Sequence, residues 1–255
     1  MKAISHRVSI LGALFLWTFV SPAIAAKNTI ELVTGNDFAP YSDEKLPKGG
    51  MLTDIVRTIF NEAGYPVKIS FEHWKRGYRD TKFNQFDGTF PYFRAPKRDR
   101  DFLFSAPLYE TVGRVFVSDN LAISANKISE LGGLTLCRAL GYSIPRAFRS
   151  MVESGNIPVL RAPKPENCYH MIKRDRAQFV VWNDLFAQSV INRISDSKDT
   201  LKKLTINWPP STLHLIVSKK HPDAVSIIET VNTGLDRLRR NGLYIDILNQ
   251  HRAGN

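Results

Sequence analysis

Residues 87–109 read DGTFPYFRAPKRDRDFLFSAPLY, six aromatics and a basic cluster that includes Arg94, Lys97 and Arg98, set among Gly88, Pro91, Pro96 and Pro107. Phe86, Gly88 and Phe90 have the alternation of a strand, and Pro91 predicts its end because the ring removes a ladder donor. A second apolar run, 102–104, follows the basic turn. An arginine held on such a turn presents a planar, permanently charged fork that matches the oxygen pair of a carboxylate or phosphate. The same cations also fit a solvated loop, the commoner fate of a charge cluster. The flanking sequence has to separate the two.

Upstream, 30–33 is a short apolar strand that runs into the turn-rich loop Gly35-Asn36-Asp37-Phe38-Ala39-Pro40-Tyr41. Met51, Leu52, Ile55, Val56, Ile59, Phe60 and Ala63 recur at helical spacing, and Gly64 stands where a helix ends. Val67, Ile69 and Phe71 alternate as a strand, and His73-Trp74 leads into a short helix rich in Lys and Arg. Strand and helix alternating over such short connections predict parallel pairing in an open α/β sheet. Ligands of such sheets gather beyond the carboxyl ends of the strands. The loops there carry Phe38, Trp74 and the 90–98 turn.

Downstream, 111–118 reads as one strand, after which the chain turns polar at Asp119, Asn120, Ser124, Asn126 and Lys127. A second α/β series follows, with strands at 134–137, 157–160, 179–182 and 204–206 and helices at 145–153, 165–174 and 184–192. Gly141-Tyr142-Ser143 forms a turn in it, and Trp208-Pro209-Pro210 breaks it off. The strand 213–218 precedes a helix opening at Pro222, with Val225, Ile228, Val231, Leu235 and Leu238 as its buried stripe. Asn241-Gly242 ends that helix, and 243–248 forms a last short one.

Residues 1–25 have the build of a signal peptide: Lys2 and Arg7, an apolar stretch at 8–20, and the small residues of Ala23-Ile24-Ala25. The apolar stretch is shorter than the ~20 residues of a membrane span. An exported, periplasmic protein beginning near Ala26 is expected. It retains 33 basic and 24 acidic residues, a net charge of +9, scattered with no basic tail or run, which argues against a nucleic-acid partner. Both cysteines, Cys137 and Cys168, remain, and in an oxidising compartment an intramolecular disulfide is their simplest use. The six histidines show no paired-ligand spacing, so neither a metal nor another cofactor is expected. Gly141-Tyr142-Ser143-Ile144-Pro145 imitates a nucleophile elbow but carries Pro145 where the closing glycine belongs.

The order of parts resembles the periplasmic solute-binding proteins of ABC importers, family 3, over nearly the whole mature chain. The resemblance rests on Phe38-Ala39-Pro40-Tyr41, on Gly50-Met51-Leu52-Thr53-Asp54, and on Ala95-Pro96-Lys97-Arg98 followed by Phe104-Ser105-Ala106-Pro107-Leu108-Tyr109. In the second series it rests on Gly141-Tyr142-Ser143, on Trp182-Asn183-Asp184 and on Arg240-Asn241-Gly242-Leu243. It implies an α/β fold of the two-lobed type II periplasmic-binding-protein kind with two crossover strands as hinge. Lobe 1 would comprise 27–117 and 213–255, and lobe 2 would comprise 118–212. It implies that Arg98 clamps a ligand carboxylate, that Tyr142 and Ser143 assist from a helix N-terminus, and that Phe38 and Trp74 flank the ligand. Asn183 or Asp184 would take an ammonium, and Tyr92 completes the candidate set. The paired cysteines look like those of a subgroup of such proteins.

Two stretches depart from the family pattern. Phe90-Pro91-Tyr92-Phe93-Arg94 replaces a hydroxyl-rich segment before the arginine, and the acidic position falls on Asn183 in one register and on Asp184 in the other. An amino acid or related small carboxylate is therefore the expected ligand, and an ABC permease or a membrane receptor the expected partner of a monomer. A lyase or dehydratase on the same fold, using Asp37, Glu110 or Asp184 as acid or base, is the alternative.

Overall fold

Apolar strands flanked by amphipathic helices must bury one face of each helix on a sheet, and this chain does so twice. The computed structural model describes residues 29–194, 201–207 and 210–253; the predicted leader and Trp208-Pro209 of the predicted breaker lie outside the described residues. The first series runs β1 (Ile30–Gly35), α1 (Met51–Glu62), β2 (Val67–Glu72), α2 (Trp74–Lys82), β3 (Gly88–Phe93), α3 (Pro96–Asp101), β4 (Phe102–Phe104) and β5 (Tyr109–Thr111). The second runs β6 (Arg114–Ser118), β7 (Leu136–Ala139), α4 (Arg149–Glu153), β8 (Val159–Ala162), α5 (Pro165–Lys173), β9 (Phe179–Trp182), α6 (Asp184–Arg193) and β10 (Leu201–Leu204). The chain then returns through β11 (Ser211–Ser218) to α7 (Ala224–Arg240) and α8 (Leu243–Ala253).

One sheet has the order β2-β1-β3-β11-β4, with β5 also paired to β11; the other has the order β10-β6-β9-β7-β8. Within the first, β1 is parallel to β2 and β3, while the returning β11 is antiparallel to β3, β4 and β5. Within the second, β7 is parallel to β8 and β9, and β6 is antiparallel to β9 and β10. This is the two-lobed type II arrangement.

Three expectations shift. The strand predicted over 111–118 is two, broken at Val112-Gly113, and β6 belongs to the second sheet, so 114–117 leave the first lobe. Ser211 and Thr212, expected in the second lobe, pair with β5 in the first sheet. The strand predicted to stop at Pro91 continues to Phe93, because the ladder between β3 and β11 changes register between His214 and Ile216. A proline lacking its N–H is tolerated at such an irregularity.

The core of the first lobe forms where α1 buries Met51, Leu52, Ile55, Val56, Ile59 and Phe60 completely, with Val231, Leu235 and Leu238 of α7 in the same cluster. The two helices approach closely because Gly234 has no Cβ; one built there would stand 2.6 Å from Ile59. In the second lobe, Val115, Val117, Leu136, Phe148, Phe179 and Val181 form a separate cluster. No helix among the described residues is long and apolar enough to cross a membrane.

Candidate functional site

The first contribution comes from the loop after β1. Thr34 donates its hydroxyl to the Phe90 carbonyl at 2.6 Å and Ser42 donates to the Gly35 carbonyl at 2.7 Å. These bonds fold residues 38–42 into a turn that carries Phe38 to the lobe edge, where its ring meets Tyr142 at 6.0 Å and Phe186 at 5.1 Å from the other lobe. Trp74 opens α2 beside it, and its indole N–H donates to the Asn36 carbonyl at 2.8 Å. Gly35 makes room for this ring: a Cβ there would fall inside the indole.

Pro96 occupies the first turn of α3, where a missing N–H costs nothing. That helix carries Arg98 back over β3. The guanidinium lies 4.7 Å from the Tyr92 ring centre and donates to the Phe93 carbonyl at 2.7 Å. The carboxylates that compete for it in sequence go elsewhere, Asp99 to Arg94 at 4.0 Å and Asp101 to Lys82 at 2.8 Å.

The second lobe answers with β7, buried along its whole length, and the turn after it. Arg138 lies on that strand, only 7% exposed, and donates from Nε to the Ser143 carbonyl at 2.9 Å and from Nη1 to the Val181 carbonyl at 2.7 Å. Its charge sits 5.5 Å from the Tyr142 ring centre. Tyr142 stacks on Phe186 and donates across the cleft to the Asp37 carbonyl at 2.8 Å. Phe38, Trp74, Tyr92, Arg98, Arg138, Tyr142 and Ser143 thus line one cavity of about 40 Å³ between the lobes, with Pro91, Phe93 and Gly141. At ~10–15 Å³ each, about three or four waters would fill it, far less than an open ligand pocket of ~300 Å³ or more.

A sequence profile of the bacterial extracellular solute-binding proteins, family 3, matches residues 30–253. The chain belongs to this family. No individual curated protein matches it. Among solved structures it is similar to an amino acid ABC transporter substrate-binding protein from Streptococcus pneumoniae bound to L-arginine (TM-score 0.68, 16% identity, 88% of this chain and 94% of that one). It is also similar to a histidine kinase sensor domain (0.73, 17%, 87% and 95%). A third is an ancestral amino acid-binding protein described as a precursor of cyclohexadienyl dehydratase (0.70, 17%, 87% and 94%). At these identities the likeness speaks for the fold alone.

Two of the residues singled out in sequence stand apart from the cavity of this solute-binding protein. Asn183 is buried as the N-cap of α6; its side-chain oxygen accepts from the Phe186 amide at 2.9 Å and from the Tyr41 hydroxyl at 2.8 Å. Asp184 is exposed and pairs with Lys203 at 3.0 Å and Arg114 at 3.5 Å. Ser143 reaches the cavity, but neither it nor Tyr142 opens a helix: the short 3-10 turn that follows, Arg146–Phe148, is preceded by Pro145. The cysteines are bonded, tying Cys137 of β7 to Cys168 of α5.

Arg138 is the residue that sequence reasoning passed over. Its signal was a charge inside the apolar run Leu136-Cys137-Arg138-Ala139, where a surface side chain has no place. Burial pulls its pKa down to about 10, with the charges of Arg161 and Arg98 adding to the effect, so it stays cationic at neutral pH. Burial also lowers the pKa of Arg98. It raises that of Tyr142 and pushes Tyr92 up to about 12 against the pull of Arg98, so both phenols remain hydrogen-bond donors.

Proposed function

We propose that this family 3 protein is exported and captures an amino acid or related small carboxylate in the cleft between its lobes for delivery to a membrane ABC permease. The observation that carries the reading is Arg98, a half-buried guanidinium stacked on Tyr92, braced by one carbonyl and, among the described residues, paired with no carboxylate. Such a group offers two parallel N–H bonds to a carboxylate. Phe38, Trp74 and Tyr142 supply flat apolar walls, and the chain passes from one sheet to the other at Val112-Gly113 and returns between the end of β10 and the start of β11. Because the walls come from both lobes, a ligand that touches all of them favours the closed state over the open one. Of the solved structures similar to it, the transporter protein holding L-arginine supports the amino acid or carboxylate class.

The histidine kinase sensor domain favours a second reading, in which the closed form docks a membrane receptor instead of a permease. The dehydratase-precursor neighbour favours a lyase, but among the described residues the lining holds no carboxylate or imidazole to move a proton.

Arg98→Ala tests the capture reading. In a thermal-shift screen of the proteinogenic amino acids and three- to six-carbon mono- and dicarboxylates, ligands that raise the melting temperature of the native protein lose that effect in the variant. The ligand-free melting point moves by no more than the ~2–4 °C that 1 kcal/mol produces in a chain of this size. Equal stabilisation of both proteins refutes the clamp, and product release from prephenate-like acids favours the lyase.

A further inference from the structure

Resting on the capture reading, we propose that the ligand bears two acidic groups and no ammonium, one acid taken by Arg98 of the first lobe and the other by Arg138 of the second. Arg138 is 7% exposed, and both of its hydrogen bonds go to carbonyls. A guanidinium has five N–H donors, so Arg138 keeps three and Arg98 four. Carbonyls and ring faces orient a cation but do not neutralise it, and a buried charge without a counter-ion is strongly unfavourable. Two such cations lining one cavity add mutual repulsion, which an anion between them relieves.

An ammonium finds no partner in this cavity. Among the described residues its lining contains two cations and no acid. The nearby acids among them are paired with cations: Asp37 with Lys164 at 3.9 Å, Glu166 through one carboxylate oxygen with Arg193 at 2.6 Å, and Asp184 with Lys203 and Arg114. Asn183, the neutral residue in the position expected to face an ammonium, spends its oxygen on Tyr41 and Phe186. Arg138 is also held in place: it follows Cys137, which the disulfide ties to α5, and its Nε and Nη1 fix the fork against two carbonyls. A diacid draws one end to each lobe and so rewards closure. A monoacid needs one lobe only.

The test is titration calorimetry on the disulfide-bonded protein with eight acids that vary the two groups independently: valerate, norvaline, glutarate and glutamate, and the four-carbon set butyrate, 2-aminobutyrate, succinate and aspartate. In at least one length series the plain diacid binds at least about tenfold more tightly than the monoacid, the return expected from one charged hydrogen-bond pair. It also binds more tightly than its amino counterpart. Arg138→Gln weakens the diacid at least about tenfold more than the monoacid, so that the two bind alike, whereas Arg138→Lys recovers part of the difference. A purely structural role for Arg138 weakens all eight acids alike and overturns the proposal. So does tighter binding of norvaline or glutamate than of glutarate, or of the corresponding four-carbon amino acids than of succinate, and so does equal binding of monoacid and diacid; each leaves the capture reading standing. Absence of binding by all eight overturns this proposal, and the wider thermal-shift screen then decides the capture reading. Should the Gln variant fail to fold, the comparison of acids on the native protein decides.

Discussion

Asn183 stands at the meeting of two structural demands. Its oxygen satisfies an orphan amide at the start of α6 and the hydroxyl of Tyr41, a residue fully buried in the loop after β1. Losing the cap costs about 1 kcal/mol, and losing one of the two side-chain partners of the Tyr41 hydroxyl, Asn183 and Thr111, about 0.5–1.5 more. Asn183→Ala should therefore lower the unfolding free energy by about 1.5–2.5 kcal/mol in a urea titration, while Asn183→Asp, which keeps the acceptor, should lose much less; equal losses would remove the capping account. His214 makes a prediction in pH. It is buried, its Nδ1–H donates to the Ser105 carbonyl and its Nε2 accepts from Thr212, both at 2.7 Å, and burial lowers its pKa below the ordinary 6.5. The unfolded chain takes up this proton first, so the stability present above pH ~6.5 declines as pH falls toward the folded-state pKa. His214→Gln should flatten that limb of the stability curve, and an unchanged slope would show that other groups govern it. Arg98 and Phe38 were legible at this scale because a charge on a proline-bounded turn and an aromatic on a strand-end loop are visible in order. Arg138 was not, since its meaning depends on which face of β7 meets the cleft.

At the scale of elements, the turn after β7 and the start of α2 depend on each other. Gly141 has a positive φ of 84°, and a Cβ on it would stand 2.9 Å from the Cβ of Trp74 in the other lobe. Gly141→Ala is strained in both respects. It should hold the lobes apart, with a larger radius of gyration in solution scattering and ligand affinity reduced about tenfold or more. An unchanged radius and affinity would mean that the turn yields without cost. The periodic helices, α1 and α7 above all, were readable from sequence because apolar residues at 3.6-residue spacing have one stable use in water. The break at Val112-Gly113 and the passage of β3 through Pro91 were not, because both depend on which strand supplies the neighbouring ladder.

At the scale of the whole molecule, the chain crosses between two sheets after β5 and again before β11, and the candidate site exists only where the two halves face each other. The disulfide closes a loop of 31 residues inside the second half, worth about 3–4 kcal/mol by the loop-closure estimate. Replacing both cysteines by serine should lower the urea midpoint of the ligand-free protein by the equivalent of that amount, and a shift below about 1 kcal/mol would show that the native packing carries the loop without it. By itself the sequence determined the two α/β series, the family they belong to, and the arginine and rings of the first lobe. These follow from local periodicity, turn residues and short motifs, each written within a few tens of positions. Only the tertiary structure decided that Asn183 caps a helix, that Asp184 faces solvent, and that Arg138 joins Arg98 in one cavity. Burial and counter-charge are properties of what surrounds a side chain, and the surroundings of these residues come from segments up to about 140 positions away, such as Tyr41 beside Asn183.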